Sequence, residues 1–169
     1  MADRLARRVA LIGWDADVAV RLASDPADFA AVPLEQLRLL EQMEAPIGVG
    51  GSGLGAAELF IDAILGYSQR GNPRGDAAVL VAATSDSTVL SLDVPTGLEL
   101  ERGIVGEPTV RAAATLTLAL PKAALRGAAA RPLVGELYLA DISIPATVYD
   151  RLGIGYRSPF SGSPIVQLV

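Results

Sequence analysis

The chain has 169 residues, half of them apolar, and a formal net charge of −5; this is enough for one domain, residues 1–169, with a buried core. An acidic balance, with no basic stripe and no aromatic-rich patch, excludes a nucleic-acid phosphate backbone as partner. There is no cysteine and no histidine, so disulfides, thiolate metal sites, a Ser-His-Asp triad and the usual neutral-pH base are all excluded.

The first residues carry Leu5, Val9 and Ile12 at helical spacing, with Arg4, Arg7 and Arg8 opposite and Gly13 as a stop. They predict a helix over 3–13 with a solvated arginine face. The apolar stretch from Val9 to Gly13 is too short for the core of a signal peptide, and no run reaches the roughly 18 residues of a membrane span. The chain reads as cytoplasmic, with no membrane partner. Residues 16–22 predict a strand and 24–32 a loop or a short turn of helix. Pro33 opens a helix with Leu34, Leu37, Leu40 and Met43 on one face, and 46–55 form a loop. Residues 58–65 and 88–94 predict buried strands, each with an acid inside it, and 75–84 a helix. Two more strands, 113–120 and 135–142, complete the set, and the tail from Ile154 wraps the surface. Apolar strands alternating with helices predict an α/β fold with a doubly wound, mostly parallel sheet.

Four features are candidates for chemistry. Gly48, Gly50 and Gly53 fit G-x-G-x-x-G, but Met43 to Pro46 make no β-branched strand before it, so a plain loop is the better reading. Asp62 and Asp93 each lie in an apolar run that ends in a loop. Such an acid is costly unless paired, hydrogen-bonded or bound to a cation. Two of them at equivalent strand ends point to a shared site at the carboxyl edge of the sheet; capping of the following turns is the alternative. Residues Gly66, Tyr67, Ser68, Gln69, Arg70, Gly71 and Asn72 precede Pro73. Their glycines free backbone N–H groups for an anion, Arg70 adds charge, and Pro73 can start a helix whose positive end lies nearby. Lys122 is the single lysine among 14 basic residues. It is either an accident of composition or a position that needs an ammonium. With histidine and cysteine absent, any bound ion is expected to be hard and oxygen-ligated.

Read together, these segments resemble a known family. Phe60-Ile61-Asp62-Ala63-Ile64-Leu65-Gly66 followed by Arg70 to Gly75, then Leu92-Asp93-Val94-Pro95-Thr96-Gly97-Leu98, then Val110-Arg111-Ala112 with Thr115-Leu116-Thr117 and Pro121-Lys122, then Asp141-Ile142 with Ile144-Pro145, resemble in order four motifs of the NAD(P)H-hydrate epimerase family, the YjeF N-terminal domain. The resemblance covers residues 58–145 well and 1–45 loosely. It implies a Rossmann-like three-layer fold and epimerisation of the R and S forms of hydrated NAD(P)H. It implies one potassium ion per subunit, held by Asp62 and Thr96. Asp93 would contact the hydrated nicotinamide nucleotide, and Gly66 to Asn72, with Lys122, would bind the nucleotide; with no histidine in the chain, Asp93 is also the candidate for the catalytic carboxylate. The implied partners are a second copy of the chain and an ADP- or ATP-dependent hydrate dehydratase, separate or fused. The sequence departs from the family in lacking its Asn-Asn-Gly-Gly-Asp-Gly loop. The helix at 3–13 looks like the one that follows that loop, so the sheet is expected to lack its first central strand. That departure supplies the rival reading, a catalytically inactive nucleotide-binding, scaffold or dimerisation domain of the same fold.

Overall fold

The computed structural model describes residues 17–160 and 162–168. The helix expected over 3–13 lies outside them. Strand β1 (Val20–Leu22) pairs in parallel with β2 (Ile47–Val49) as a separate two-stranded sheet. Between them runs helix α1 (Ala31–Gln42), which begins two residues before Pro33 and buries Leu37 and Leu40. The remaining strands are β3 (Phe60–Asp62), β4 (Val89–Leu92), β5 (Leu98–Glu99), β6 (Ile104–Val105), β7 (Ala114–Leu118), β8 (Glu136–Ala140) and β9 (Ile165–Gln167). A five-stranded sheet runs β3-β4-β7-β8-β9. Its pairs are parallel except β8 with β9. Strands β5 and β6 form a small antiparallel hairpin. Helices α2 (Gly75–Ala82), α3 (Arg131–Val134) and α4 (Ala146–Arg151) connect the strands. The chain therefore has the expected α/β architecture with a mostly parallel main sheet, and β3 has a described partner on one side only.

Alternation along the strands gives the main sheet two faces. Leu92, Leu116 and Ala140 pack together on one, joined by Leu90, Leu118 and Tyr138. On the other, Val89 packs with Val81 of α2 and with Val110 and Ala112. Leu137 joins Val94, Leu98, Leu125, Leu133 and Val134. Each fully buried leucine contributes on the order of 1.5–3 kcal/mol. Ser91, Thr115 and Thr117 also occupy this second side, and all three are fully buried. Thr115 satisfies its hydroxyl on the Val134 carbonyl. A polar row thus runs through an otherwise apolar layer towards the carboxyl edge of the sheet.

Two expectations are corrected. Residues 46–55 are not all loop, because Ile47–Val49 is a strand. Its pairing with β1 is long-range, and Gly48 leaves room for the Arg21 guanidinium, which a Cβ at that position would meet. No helix follows the glycines before α2, so a dinucleotide fold does not form around them. The tail from Ile154 contributes a strand as well as a surface wrap: Leu139 pairs with Val166 in antiparallel register.

Gly135 links α3 to β8 with φ +58°, and a Cβ there would run into the Ala113 backbone carbonyl. Both the conformation and the space require glycine. Gly135→Ala is expected to lower the unfolding free energy by about 2 kcal/mol or more, read as a fall in thermal midpoint.

Candidate functional site

The functional groups gather where β3 and β4 end. Asp62 closes β3 and is only 3% exposed. Its Oδ2 accepts from the Ser91 hydroxyl at 2.8 Å and the Thr96 amide at 2.8 Å. Its Oδ1 accepts from the Thr96 hydroxyl at 2.6 Å and the Ile64 amide at 3.3 Å. Four donors therefore meet one buried carboxylate, which offsets much of the cost of removing it from water. The Thr96 hydroxyl also accepts from the Leu65 amide at 3.0 Å. Asp62 ties the turn after β3 to the turn after β4.

Asp93 follows β4 with φ +74°, a left-handed conformation that aspartate tolerates better than most residues. Strand pairing stops there, and the side chain leaves the sheet. Oδ1 lies 2.8 Å from the Lys122 ammonium, and Oδ2 accepts from the Tyr67 amide at 3.1 Å. The Lys122 ammonium also donates to the Thr117 hydroxyl at 2.8 Å and the Leu118 carbonyl at 3.1 Å. The lone lysine is thus fixed at the carboxyl end of β7 and aimed at Asp93. A compact ammonium with three donors suits these three acceptors; a planar guanidinium does not. Beside the pair opens a cavity of about 540 Å³, lined by Tyr67, Leu118, Lys122, Ile144 and Tyr149 among others. The Tyr149 phenol is pushed above its ordinary value, first by burial and then by Tyr156 and the Asp141 charge.

Loop 66–72 is held onto the turn after β4. The Gln69 side chain is buried, donating to the carbonyls of Pro95 at 3.2 Å and Leu98 at 2.8 Å and accepting from the Gly97 amide at 2.7 Å. The Gly71 amide donates to Glu99 Oε2 at 2.9 Å, and Asn72 Oδ1 accepts from the Glu107 amide at 3.3 Å. Gly97, with φ +97°, lets the turn after β4 pack closely against Pro108 and Thr109, which a Cβ there would strike. Ser68 and Arg70 remain exposed. Arg70 pairs with Glu101 at 2.6 Å, a contact between half-exposed groups that an anion could readily displace.

The structure therefore unites Asp62 with Thr96, Asp93 with Lys122, and loop 66–72 with both turns. It turns Gln69 inward and sends the amides of Tyr67 and Gly71 to carboxylates of the protein itself. Helix α2 starts at Gly75, two residues beyond Pro73. Sequence reasoning missed Glu99, Ser91 and Tyr149. An acid between Leu98 and Leu100 was the available signal for the first. Asp62, the Thr96 hydroxyl and the Leu65 carbonyl, which lies 3.5 Å from that hydroxyl, form a set of hard oxygens with one negative charge. They suit a singly charged alkali ion in kind and in charge, but the four hydrogen bonds to Asp62 occupy its lone-pair directions, so an ion there has to displace some of them. Chemically, the rim offers a carboxylate–ammonium pair for proton transfer, a cavity for a ring, and an arginine-bearing loop for an anion.

A family model described as YjeF-related protein N-terminus matches residues 3–124. An NAD(P)H-hydrate epimerase of Dehalogenimonas lykanthroporepellens is 41% identical over 117 residues, covering 68% of this chain and 46% of that protein. One from Truepera radiovictrix is 39% identical over 112 residues, covering 64% and 48%. A bifunctional NAD(P)H-hydrate repair enzyme Nnr from Salinibacter ruber is 33% identical over 159 residues, covering 83% and 29%. The chain spans about half the length of the first two. The crystal structure of yeast ynu0 superposes with a TM-score of 0.74, covering 97% of this chain and 71% of that one; at 18% identity this is a likeness of fold. Among the described residues, no helix is long and apolar enough to cross a membrane.

Thr96→Val removes a hydroxyl that serves both Asp62 and the Leu65 amide. Its expected cost is about 2–3 kcal/mol of stability, from unmet buried polar groups, and urea unfolding measures it.

Proposed function

Because the chain belongs to the family of YjeF-related protein N-termini, we propose that it epimerises hydrated NAD(P)H, interconverting the R and S forms at the hydrated ring carbon. The observation that carries this reading is the Asp93–Lys122 pair, held at 2.8 Å beside a cavity and under the arginine-bearing loop. In the reaction, the ring nitrogen lone pair expels the hydroxyl, and an iminium forms. The departing hydroxide takes one proton from the carboxylate–ammonium pair. Water then adds to either face and returns one proton to the pair, so protons balance over the cycle. Asp93 is the residue that exchanges protons with the substrate oxygen. Lys122 holds Asp93 in place and shares its proton, and the Tyr67 amide fixes the second carboxylate oxygen. Of loop 66–72, the exposed side chains of Tyr67, Ser68 and Arg70 face the nucleotide, with Gln69 turned inward as a brace and Arg70 leaving Glu101 for a phosphate.

The reading extends to one potassium ion per subunit, held by Asp62, Thr96 and the Leu65 carbonyl; bound there, the ion would add fixed positive charge close to the anion loop. It also includes a cytoplasmic location and a homodimer. A hydrate dehydratase is the partner in this scheme, which the bifunctional names of the Salinibacter ruber and Moorella thermoacetica relatives support.

Two experiments test this. Asp93→Asn is expected to abolish equilibration of the S and R forms of hydrated NADH, followed by chromatography, while thermal unfolding stays within a few degrees of wild type. Unchanged turnover removes Asp93 from its role, and an inactive wild type favours the scaffold reading. Potassium is expected to raise the thermal midpoint of the wild type relative to tetramethylammonium, and to leave that of Thr96→Val where it was; equal responses would sink the ion assignment.

A further inference from the structure

Glu99 is 1% exposed, and its carboxylate is poorly provided for. Oε2 accepts one hydrogen bond, from the Gly71 amide at 2.9 Å. Oε1 is buried with no hydrogen-bond partner among the described residues. The nearest cationic group is the Arg102 Nε at 3.7 Å, on a side chain that is two-thirds exposed. This contrasts with Asp62, whose two oxygens meet four donors. A buried charge with one good partner lowers stability relative to an apolar side chain of similar size. A residue selected only for packing between Leu98 and Leu100 would be apolar.

The single bond Glu99 does make is to loop 66–72. Hairpin β5–β6 carries it, with Glu99 opposite Ile104. Gln69 pins the middle of the loop to Pro95, Gly97 and Leu98, and Glu99 pins the next turn at Gly71, which has φ +63°. Between the two pinned residues stands Arg70, the loop's cation. Its backbone is therefore fixed on both sides while its side chain stays exposed.

We infer that Glu99 is a positioning residue: its buried carboxylate captures the Gly71 amide and so presets loop 66–72, and with it Arg70, to receive the anionic part of the substrate. Stability is sacrificed for a preformed binding loop. The inference rests on the nucleotide reading above only for the identity of the anion; the clamp itself is a property of the free protein.

The test compares Glu99→Leu and Glu99→Gln with wild type. Leucine fills the space and removes the acceptor. Glutamine keeps an acceptor oxygen for the Gly71 amide and removes the charge. In ligand-free protein, Glu99→Leu is expected to speed amide hydrogen exchange across 68–72 at least tenfold, with a thermal midpoint equal to or above that of wild type. Its KM for hydrated NADH should rise about tenfold with kcat little changed, the loss of one hydrogen bond to a charged group. Glu99→Gln should restore both the slow exchange and the low KM. Wild-type exchange in Glu99→Leu overturns the clamp. Faster exchange with an unchanged KM overturns its role in binding. Should wild type show no epimerisation, the nucleotide reading falls, and the exchange rates still decide whether Glu99 holds the loop.

Discussion

The hydrogen bonding of one buried carboxylate organises the site. Asp62 stands at the end of β3, directly beside Ser91 in the parallel register. Its oxygens draw in the Ser91 hydroxyl and both the amide and the hydroxyl of Thr96. Those bonds bend the chain after β4 back over the end of β3. They act together with the bonds of Gln69, Tyr67 and Gly71 that tie the same two segments further along. With them, the turn containing Asp93 and Thr96 and the loop from Gly66 to Asn72 lie within hydrogen-bonding reach of each other. A carboxylate removed from water demands donors, and here the demand is met by the residues that must be brought together.

The two acids at this edge divide the work. Asp62 is buried and saturated; Asp93 stands partly open, with one oxygen on an ammonium and one on an amide. The difference comes from the backbone. Asp62 ends a strand with its side chain on the inner face, beside Ser91 and close to the Thr115 and Thr117 row. Asp93 adopts a left-handed conformation that swings its side chain out of the layer. Lys122 approaches from the end of the neighbouring strand, steadied by Thr117 and Leu118. An ion pair set in this way loses little further freedom when a ligand arrives.

Loop 66–72 shows how a segment can be both exposed and ordered. Its side chains at Ser68 and Arg70 face outward, while Gln69 and the Gly71 amide are tied to the protein interior. The glycines here do not leave all their amides for an outside anion, because Asp93 and Glu99 occupy two of the loop's N–H groups. The positive character of the loop then rests on Arg70, whose partner Glu101 is half-exposed and easily exchanged.

The sequence by itself determined the layered α/β architecture, the strands around Asp62 and Asp93, and helices α1 and α2, and it singled out the two acids and loop 66–72 as candidates, while Thr96 enters only through the family resemblance and Lys122 stays open. These were legible because apolar periodicity is local, because buried strands are continuous apolar runs, and because an acid inside such a run must have a partner. Tertiary structure alone decided which partner each acid takes. It paired Lys122 with Asp93, turned Gln69 inward, gave Glu99 to the Gly71 amide, and made strands of Ile47–Val49 and Ile165–Gln167. The physical reason is the same in each case. Hydrogen bonds between residues some 30 positions apart, and strands of three residues, depend on where distant segments come to lie, and a three-residue run carries too little periodicity to announce its partner.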